Sequence, residues 1–290
     1  MPVVPDVGLF HRLGVAIREG TAPGAPDLPG VPDLPGVPDG GAGAAGQAAS
    51  WFAGVLGAEV EAPRPEPGDT HSTTMLWLGR SPVALFAAKG DDTTGTIGRY
   101  LTRFGPGLHS LAWRVRDLQG AEDALRRRGC TIVGVNREAR HFFLHPKETF
   151  GILLELTDQR ADEAPRQPGS RGLVREIAWV TAAVGDLAAA EALFAELLGA
   201  APVHGLPSGP RSAEETRDLA IGDAVLRLVR PSTAASRYAG FLADVGDRLH
   251  SVALRVDSLD QVPLPLVDRD GRRGWTDPAA TFGVRFEWVS

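Results

Sequence analysis

The chain has 290 residues, 43% hydrophobic and 23% charged, with a formal net charge of −6 and a pI of about 5.7. This composition supplies a packed core for one large domain or two of roughly 130–150 residues. It lacks the basic footprint of a nucleic-acid binder, any apolar run near the ~18 residues of a membrane span, and a basic-then-apolar leader. A single cysteine, Cys130, excludes an internal disulfide framework and a CxxC zinc site, and fits a reducing, cytoplasmic setting.

In chain order, Leu9–Ile17 alternates as a strand does. Residues 21–46 then break the pattern. Prolines recur at every third position from Pro23 to Pro38, the hexad from Leu28 to Asp33 is nearly copied from Leu34 to Asp39, and a glycine-rich stretch follows to Gly46. A period of three suits polyproline II, so this insertion is expected to be an expanded, disordered surface loop. Gln47–Leu56 is apolar at helical spacing and is stopped by Gly57. Leu108–Val115 predicts a second opening strand. Asp117 then caps a helix with Leu118, Ala121 and Leu125 on one face, stopped by Gly129. Strands are predicted at Thr131–Val135, His141–Leu144 and Gly151–Leu156. Residues 158–172 are polar and proline-bearing and read as a linker. Ile177–Val184 opens a third unit, with Asp186 capping its helix, and Leu249–Val256 opens a fourth.

The units are copies. Leu108-His109-Ser110-Leu111-Ala112 parallels Leu249-His250-Ser251-Val252-Ala253, and Thr149-Phe150-Gly151-Ile152 parallels Thr281-Phe282-Gly283-Val284. Phe52-Ala53-Gly54-Val55-Leu56-Gly57-Ala58 likewise parallels Phe194-Ala195-Glu196-Leu197-Leu198-Gly199-Ala200. Such duplication predicts four βαβββ units, two on each side of the linker. The expected domains are 1–157 and 173–290.

The run from Gly105 through Leu108-His109-Ser110-Leu111-Ala112-Trp113 to His145-Pro146-Lys147 and Gly151-Ile152-Leu153-Leu154-Glu155-Leu156 resembles the vicinal oxygen chelate superfamily. Its members include glyoxalase I, extradiol dioxygenases, bleomycin- and fosfomycin-resistance proteins and methylmalonyl-CoA epimerase. Residues 105–158 look most like the epimerase, and the tandem plan looks like the dioxygenases. The resemblance implies an α+β fold of tandem domains, in which four βαβββ units form two cupped sheets. It also implies a divalent metal held by inward side chains of the opening and last strands.

At those positions this chain reads Arg12, Ala84, Ser110 and Glu155 in the first domain, and Trp179, Arg227, Ser251 and Glu287 in the second. Only the glutamates are of a ligand type. His11 and His109 fall one residue early, and strand alternation turns them away from the cup unless a bulge intervenes. No metal or other cofactor is therefore expected.

A guanidinium can replace the metal's charge, so Arg12 is expected to pair with Glu155 through two parallel hydrogen bonds, and Arg227 with Glu287. Such a pair either plugs a dead site or holds a substrate oxygen beside an acid/base. The catalytic candidates are Glu155, Arg12 and Ser110. Ala84, Trp179, Arg227, Ser251 and Glu287 are candidate substrate contacts. By resemblance to the epimerase, His145 and Lys147 would hold an anionic tail such as a coenzyme A phosphate; the alternative is a tight turn set by Pro146.

The expected partner is a small molecule, with neither nucleic acid nor membrane, and a homodimer is left open. The activity expected is a metal-independent epimerase-, isomerase- or lyase-like step next to a carbonyl, on an acyl-CoA or related acid. A non-catalytic metabolite-binding or resistance protein is the alternative. A metal-dependent glyoxalase or dioxygenase follows if the ligand register is shifted.

Overall fold

The computed structural model describes residues 5–18, 44–61, 70–90, 92–159, 172–207 and 213–290. The proline-rich stretch up to residue 43 and linker residues 160–171 lie outside them. The first half carries β1 (Val7–Ile17), α1 (Ala44–Leu56), β2 (Glu59–Val60), β3 (His71–Leu78), β4 (Ser81–Ala88), α2 (Thr96–Phe104), β5 (Gly107–Val115), α3 (Leu118–Arg127), β6 (Ile132–Asn136), β7 (His141–Leu144) and β8 (Leu153–Thr157). The second half carries β9 (Glu176–Ala183), α4 (Leu187–Leu198), β10 (Ala201–Val203), β11 (Glu214–Ile221), β12 (Ala224–Pro231), α5 (Arg237–Val245), β13 (Arg248–Arg255), β14 (Leu266–Asp270), β15 (Arg273–Thr276) and β16 (Arg285–Val289).

The strands form two eight-stranded sheets of the same order, β2-β3-β4-β1-β5-β8-β7-β6 and β10-β11-β12-β9-β13-β16-β15-β14. In the first three units the opening strand pairs in parallel with the last strand, as in Gly14↔Ala84, Ala112↔Glu155 and Thr181↔Arg227, and β13 lies beside β16 in the fourth. This is the duplicated α+β plan read from the sequence. The fourth unit differs in one respect: its helix shrinks to a single 3-10 turn, Leu259–Gln261, because Pro263 and Pro265 follow and cannot donate to a continuing helix. Helices α2 and α5, which bridge consecutive units, were not among the predicted elements.

By contacts the chain forms two compact units, divided at Arg12/Leu13, His109/Ser110, Ala178/Trp179 and Ser251/Val252. One holds the start of β1 with most of β5 and on through β8, and most of β9 through the start of β13. The other holds the rest of β1 through β4, α2, and the end of β13 through β16.

Local chemistry explains the element ends. Asp117 and Asp186 accept hydrogen bonds from the backbone N–H groups of Gly120 and Ala189, capping α3 and α4. In the first unit Trp113 is buried and donates to the Ile221 carbonyl at 3.0 Å. The strands β8 and β16 are introduced by the same turn. In one copy Thr149 Oγ1 donates to the Ile152 carbonyl and the Gly151 N–H to the Pro146 carbonyl. In the other, Thr281 and Gly283 make the same bonds to Val284 and Pro278. Phe150 and Gly151, like Phe282 and Gly283, both have positive φ. No helix among the described residues is long and apolar enough to cross a membrane.

Candidate functional site

β8 places Glu155 in the sheet interior, opposite Ala112 on β5, with its side chain only 2% exposed. A buried carboxylate needs a cation, and β1 supplies one. Arg12 Nη2 donates to Glu155 Oε1 at 2.6 Å and Oε2 at 2.8 Å. The pairing expected from sequence therefore forms, but from one nitrogen and not two. The second nitrogen, Nη1, lies 2.8 Å from His11 Nε2. A guanidinium only donates, so Nε2 is the acceptor and the proton of His11 resides on Nδ1.

His11 is the first departure from expectation. Phe10 meets Trp113 edge-on at 5.5 Å, on the face opposite Glu155, since Trp113 follows Ala112 along the strand. Arg12, two residues on, reaches Glu155. The His11 imidazole is buried beside Arg12, within electrostatic range of Arg114 and His141. Burial, then Arg12, Arg114 and His141, push its pKa from 6.5 down to about 3. His11 is thus neutral at ordinary pH.

The shift has a sign that can be tested. Between pH 6.5 and about 3 the unfolded chain binds a proton at residue 11 that the folded chain refuses. Stability should therefore fall with pH across that window, by at most ~1.4 kcal/mol per pH unit. His11→Gln should flatten this limb in urea titrations at pH 7, 6, 5 and 4; an unchanged slope would place the acid sensitivity elsewhere.

His141 on β7 was not among the candidate residues. Its Nδ1 is 3.9 Å from Glu155 Oε1, and its side chain is 19% exposed, as Arg12's is 16%. These two side chains are the more accessible members around a carboxylate that is itself nearly sealed. Only the β7–β8 register, His141↔Thr157 and Phe143↔Glu155, brings His141 there, and no local pattern encodes it. Ser110 is buried on the same face, two residues before Ala112. Ala84 lies in the other contact unit, fully buried with Ala16, Phe86, Ile97 and Leu101. It presents a methyl group to an apolar cluster.

His109 and His250 occupy equivalent aromatic settings, against Phe86 and Tyr100 in one case and Tyr238 and Phe241 in the other. His145 Nδ1 accepts from the Lys147 N–H at 3.2 Å, and Lys147 is exposed. Asp277 makes the same bond to the Ala279 N–H in the second copy of the turn. His145 therefore serves as a cap that a carboxylate replaces elsewhere. Cys130 is half-buried, and burial, reinforced by Glu148, raises its pKa, which makes an inert thiol.

In the second sheet the expected Arg227–Glu287 pair does not form. Arg227 forks onto Asp218, Nε to Oδ1 at 2.7 Å and Nη2 to Oδ2 at 3.0 Å, and its guanidinium lies 4.0 Å from the Trp179 ring. Asp218 stands directly across the β11–β12 ladder from Arg227. Glu287 instead accepts from Arg273 Nε at 2.6 Å, from the adjacent strand β15. In both cases a near ladder neighbour supplies the counter-charge. Among the described residues, no three His, Cys, Asp or Glu side chains gather as a metal site.

No protein-family model matches the chain. Over 116 residues, 38% of this chain and 85% of the relative, it is 30% identical to the ethylmalonyl-CoA/methylmalonyl-CoA epimerase of Cereibacter sphaeroides. The chain belongs to the vicinal oxygen chelate superfamily. The fold of this superfamily extends beyond the matched segment. A mutant 4-hydroxymandelate synthase from Streptomyces coelicolor superposes with a TM-score of 0.68 at 15% identity, covering 98% of this chain and 92% of that one. A xylose isomerase-like TIM barrel/4-hydroxyphenylpyruvate dioxygenase fusion protein gives 0.59 at 16% identity, over 99% of this vicinal oxygen chelate chain and 49% of the fusion.

Proposed function

We propose that the Arg12–Glu155 site performs a metal-independent proton transfer next to a carbonyl, of the epimerase or isomerase type, on an acyl-CoA thioester or related acid. The observation that carries this reading is the Arg12–Glu155 pair itself, with His141 beside it. The superfamily's divalent metal does not suit the side chains at these positions. A guanidinium and a methyl group have no lone pair to give, and both oxygens of the one carboxylate are engaged by Arg12. The relative named above supports the substrate class through its ethylmalonyl-CoA/methylmalonyl-CoA title.

In this mechanism Arg12 receives the carbonyl oxygen and stabilises the enolate that develops on it. Glu155 is the base of the site. His141, the accessible imidazole next to it, carries the proton between the substrate carbon and the sealed carboxylate. Ser110 adds a hydroxyl donor on the same face. The His11 ring fixes Arg12 from the other side and stays neutral, so it adds no charge to compete with the enolate.

The test is exchange of substrate Cα–H for solvent deuterium, followed by proton NMR on methylmalonyl-CoA and simple acyl-CoA thioesters. Wild type should exchange above buffer and retain the rate after EDTA treatment. Glu155→Gln and His141→Phe should each lose about 10²–10⁴-fold, the usual worth of a positioned acid or base. No exchange in wild type overturns the proposal, as does a rate that chelation abolishes and added metal restores. The near-complete burial of Glu155 also favours a second reading, a binder without turnover; saturable binding of the same thioesters with no exchange would support that one.

A further inference from the structure

β5 carries a second arginine toward the site of Glu155. Arg114 lies two residues after Ala112, the register partner of Glu155, so its side chain shares the face of both. It is half-buried and, like Arg12, stands within electrostatic range of His11. Of its three side-chain nitrogens only Nε is sealed from solvent and without a partner. Among the described residues no carboxylate pairs with it. Arg12 and Glu155 balance each other's charge and His11 is neutral, so Arg114 leaves an unmatched positive charge on this face. A charge held partly out of water is stabilised by a counter-charge.

The second copy of the fold has that counter-charge built in. Leu108–Val115 recurs as Leu249–Val256, which makes Arg255 the equivalent of Arg114. Arg255 Nε donates to Glu176 Oε1 at 2.8 Å. Ala84 and Arg227 hold the same place in their units, and their partners Gly14 and Thr181 align β1 with β9. Leu9 then stands where the second copy has Glu176. Leu9 is 49% exposed, so its position is open to solvent, and it offers no charge. The first copy keeps the arginine, replaces its internal carboxylate by an apolar side chain and leaves the guanidinium accessible.

We propose that Arg114 is a specificity-determining residue of the Arg12–Glu155 site: it binds a free carboxylate of the substrate, and so selects acyl-CoA thioesters that carry a second acid group. The proposal rests on the acyl-CoA reading of that site. The substrate's carboxylate gives Arg114 the counter-charge that Glu176 gives Arg255, accepting from the terminal N–H groups, and Arg12 remains for the thioester carbonyl. Both arginines lie within electrostatic range of the one His11 ring, so the two groups they take are close together, as when both sit on the exchanging carbon. A thioester without the acid leaves Arg114 unmatched.

The experiment is calorimetric titration of the full chain with racemic methylmalonyl-CoA, in which epimerisation causes no net change, and with propionyl-CoA, which differs only in lacking the free carboxylate. Wild type should bind methylmalonyl-CoA about tenfold or more tightly than propionyl-CoA, the worth of a charge-assisted hydrogen bond. Arg114→Gln should bring the two affinities within about threefold of each other, and Arg114→Lys, which keeps the charge, should retain part of the preference. Arg255→Gln, which breaks the internal pair of the second copy, should leave the preference as in wild type. The proposal fails if wild type binds both thioesters alike or neither. It fails too if Arg114→Gln keeps the preference while weakening both, which would assign Arg114 to a coenzyme phosphate. Because binding is read, the preference can appear in a protein that exchanges no deuterium, and deuterium exchange without the preference overturns the role of Arg114 alone.

Discussion

Arg12→Met should destabilise the folded chain by about 3–5 kcal/mol, the usual cost of removing one partner from a buried ion pair. Glu155 is left 2% exposed with both oxygens stripped of their donor, and the nearest remaining cationic candidate, His141, stands 3.9 Å away. The lost Arg12 donor also releases His11 Nε2. Removing the charge from both sides tells a different story. Arg12→Met combined with Glu155→Leu should recover most of the loss, because well-packed apolar groups replace buried ion pairs at little or no cost. Urea unfolding of the two variants beside wild type measures this. If the single variant costs under ~1 kcal/mol, the pair is behaving as an exposed salt bridge, and the sealed carboxylate on which the proposed chemistry rests is wrong. The double variant should also be devoid of deuterium exchange while folded, which separates the pair's structural role from its chemical one.

Gly151→Ala should be at least as damaging, at about 4 kcal/mol or more, a size that single substitutions reach only through a specific clash. Gly151 has φ +70°, and a Cβ built there would lie 1.6 Å from the Asp247 carbonyl oxygen and 2.6 Å from its carbon. Both obstacles are backbone, so neither can swing away. The control is Gly90→Ala. Gly90 has φ +56° but nothing within 4 Å of a Cβ, so only the left-handed backbone penalty of roughly 1–2 kcal/mol applies. Thermal unfolding should separate the two substitutions clearly; equal losses would mean that backbone conformation and not close approach fixes residue 151.

The duplicated architecture was legible because its signals are local and repeated. Asp117 and Asp186 look like helix caps and are, and β7 falls on the predicted His141–Leu144. What escaped was set by neighbours distant in sequence. Helices α2 and α5 escaped although they too are copies, with Leu101 and Gly105 matching Leu242 and Gly246. Asp218 and Arg273 take Arg227 and Glu287 because the ladders place them alongside, and nothing within either strand announces that partner. His141 reaches Glu155 through the β7–β8 register. His11 meets Arg12 side chain to side chain, a contact between adjacent residues that a period-two reading does not anticipate. The expectation that no metal is held rests, in contrast, on residue types at matched positions.

The sheet order also constrains how the chain assembles in time. β3 and β4 are joined by a tight connection and pair over their whole length, as β11 and β12 do, whereas Leu13 must find Val83 far along the chain before β1 is in place. Closing so long a loop costs entropy that only later contacts recover. The hairpins are therefore early structures and the opening strands late arrivals. Because Arg12 rides on β1, the carboxylate at residue 155 gains its counter-ion only in the closing steps of folding, so any partly assembled species carries an unneutralised acid where the finished protein has a buried ion pair.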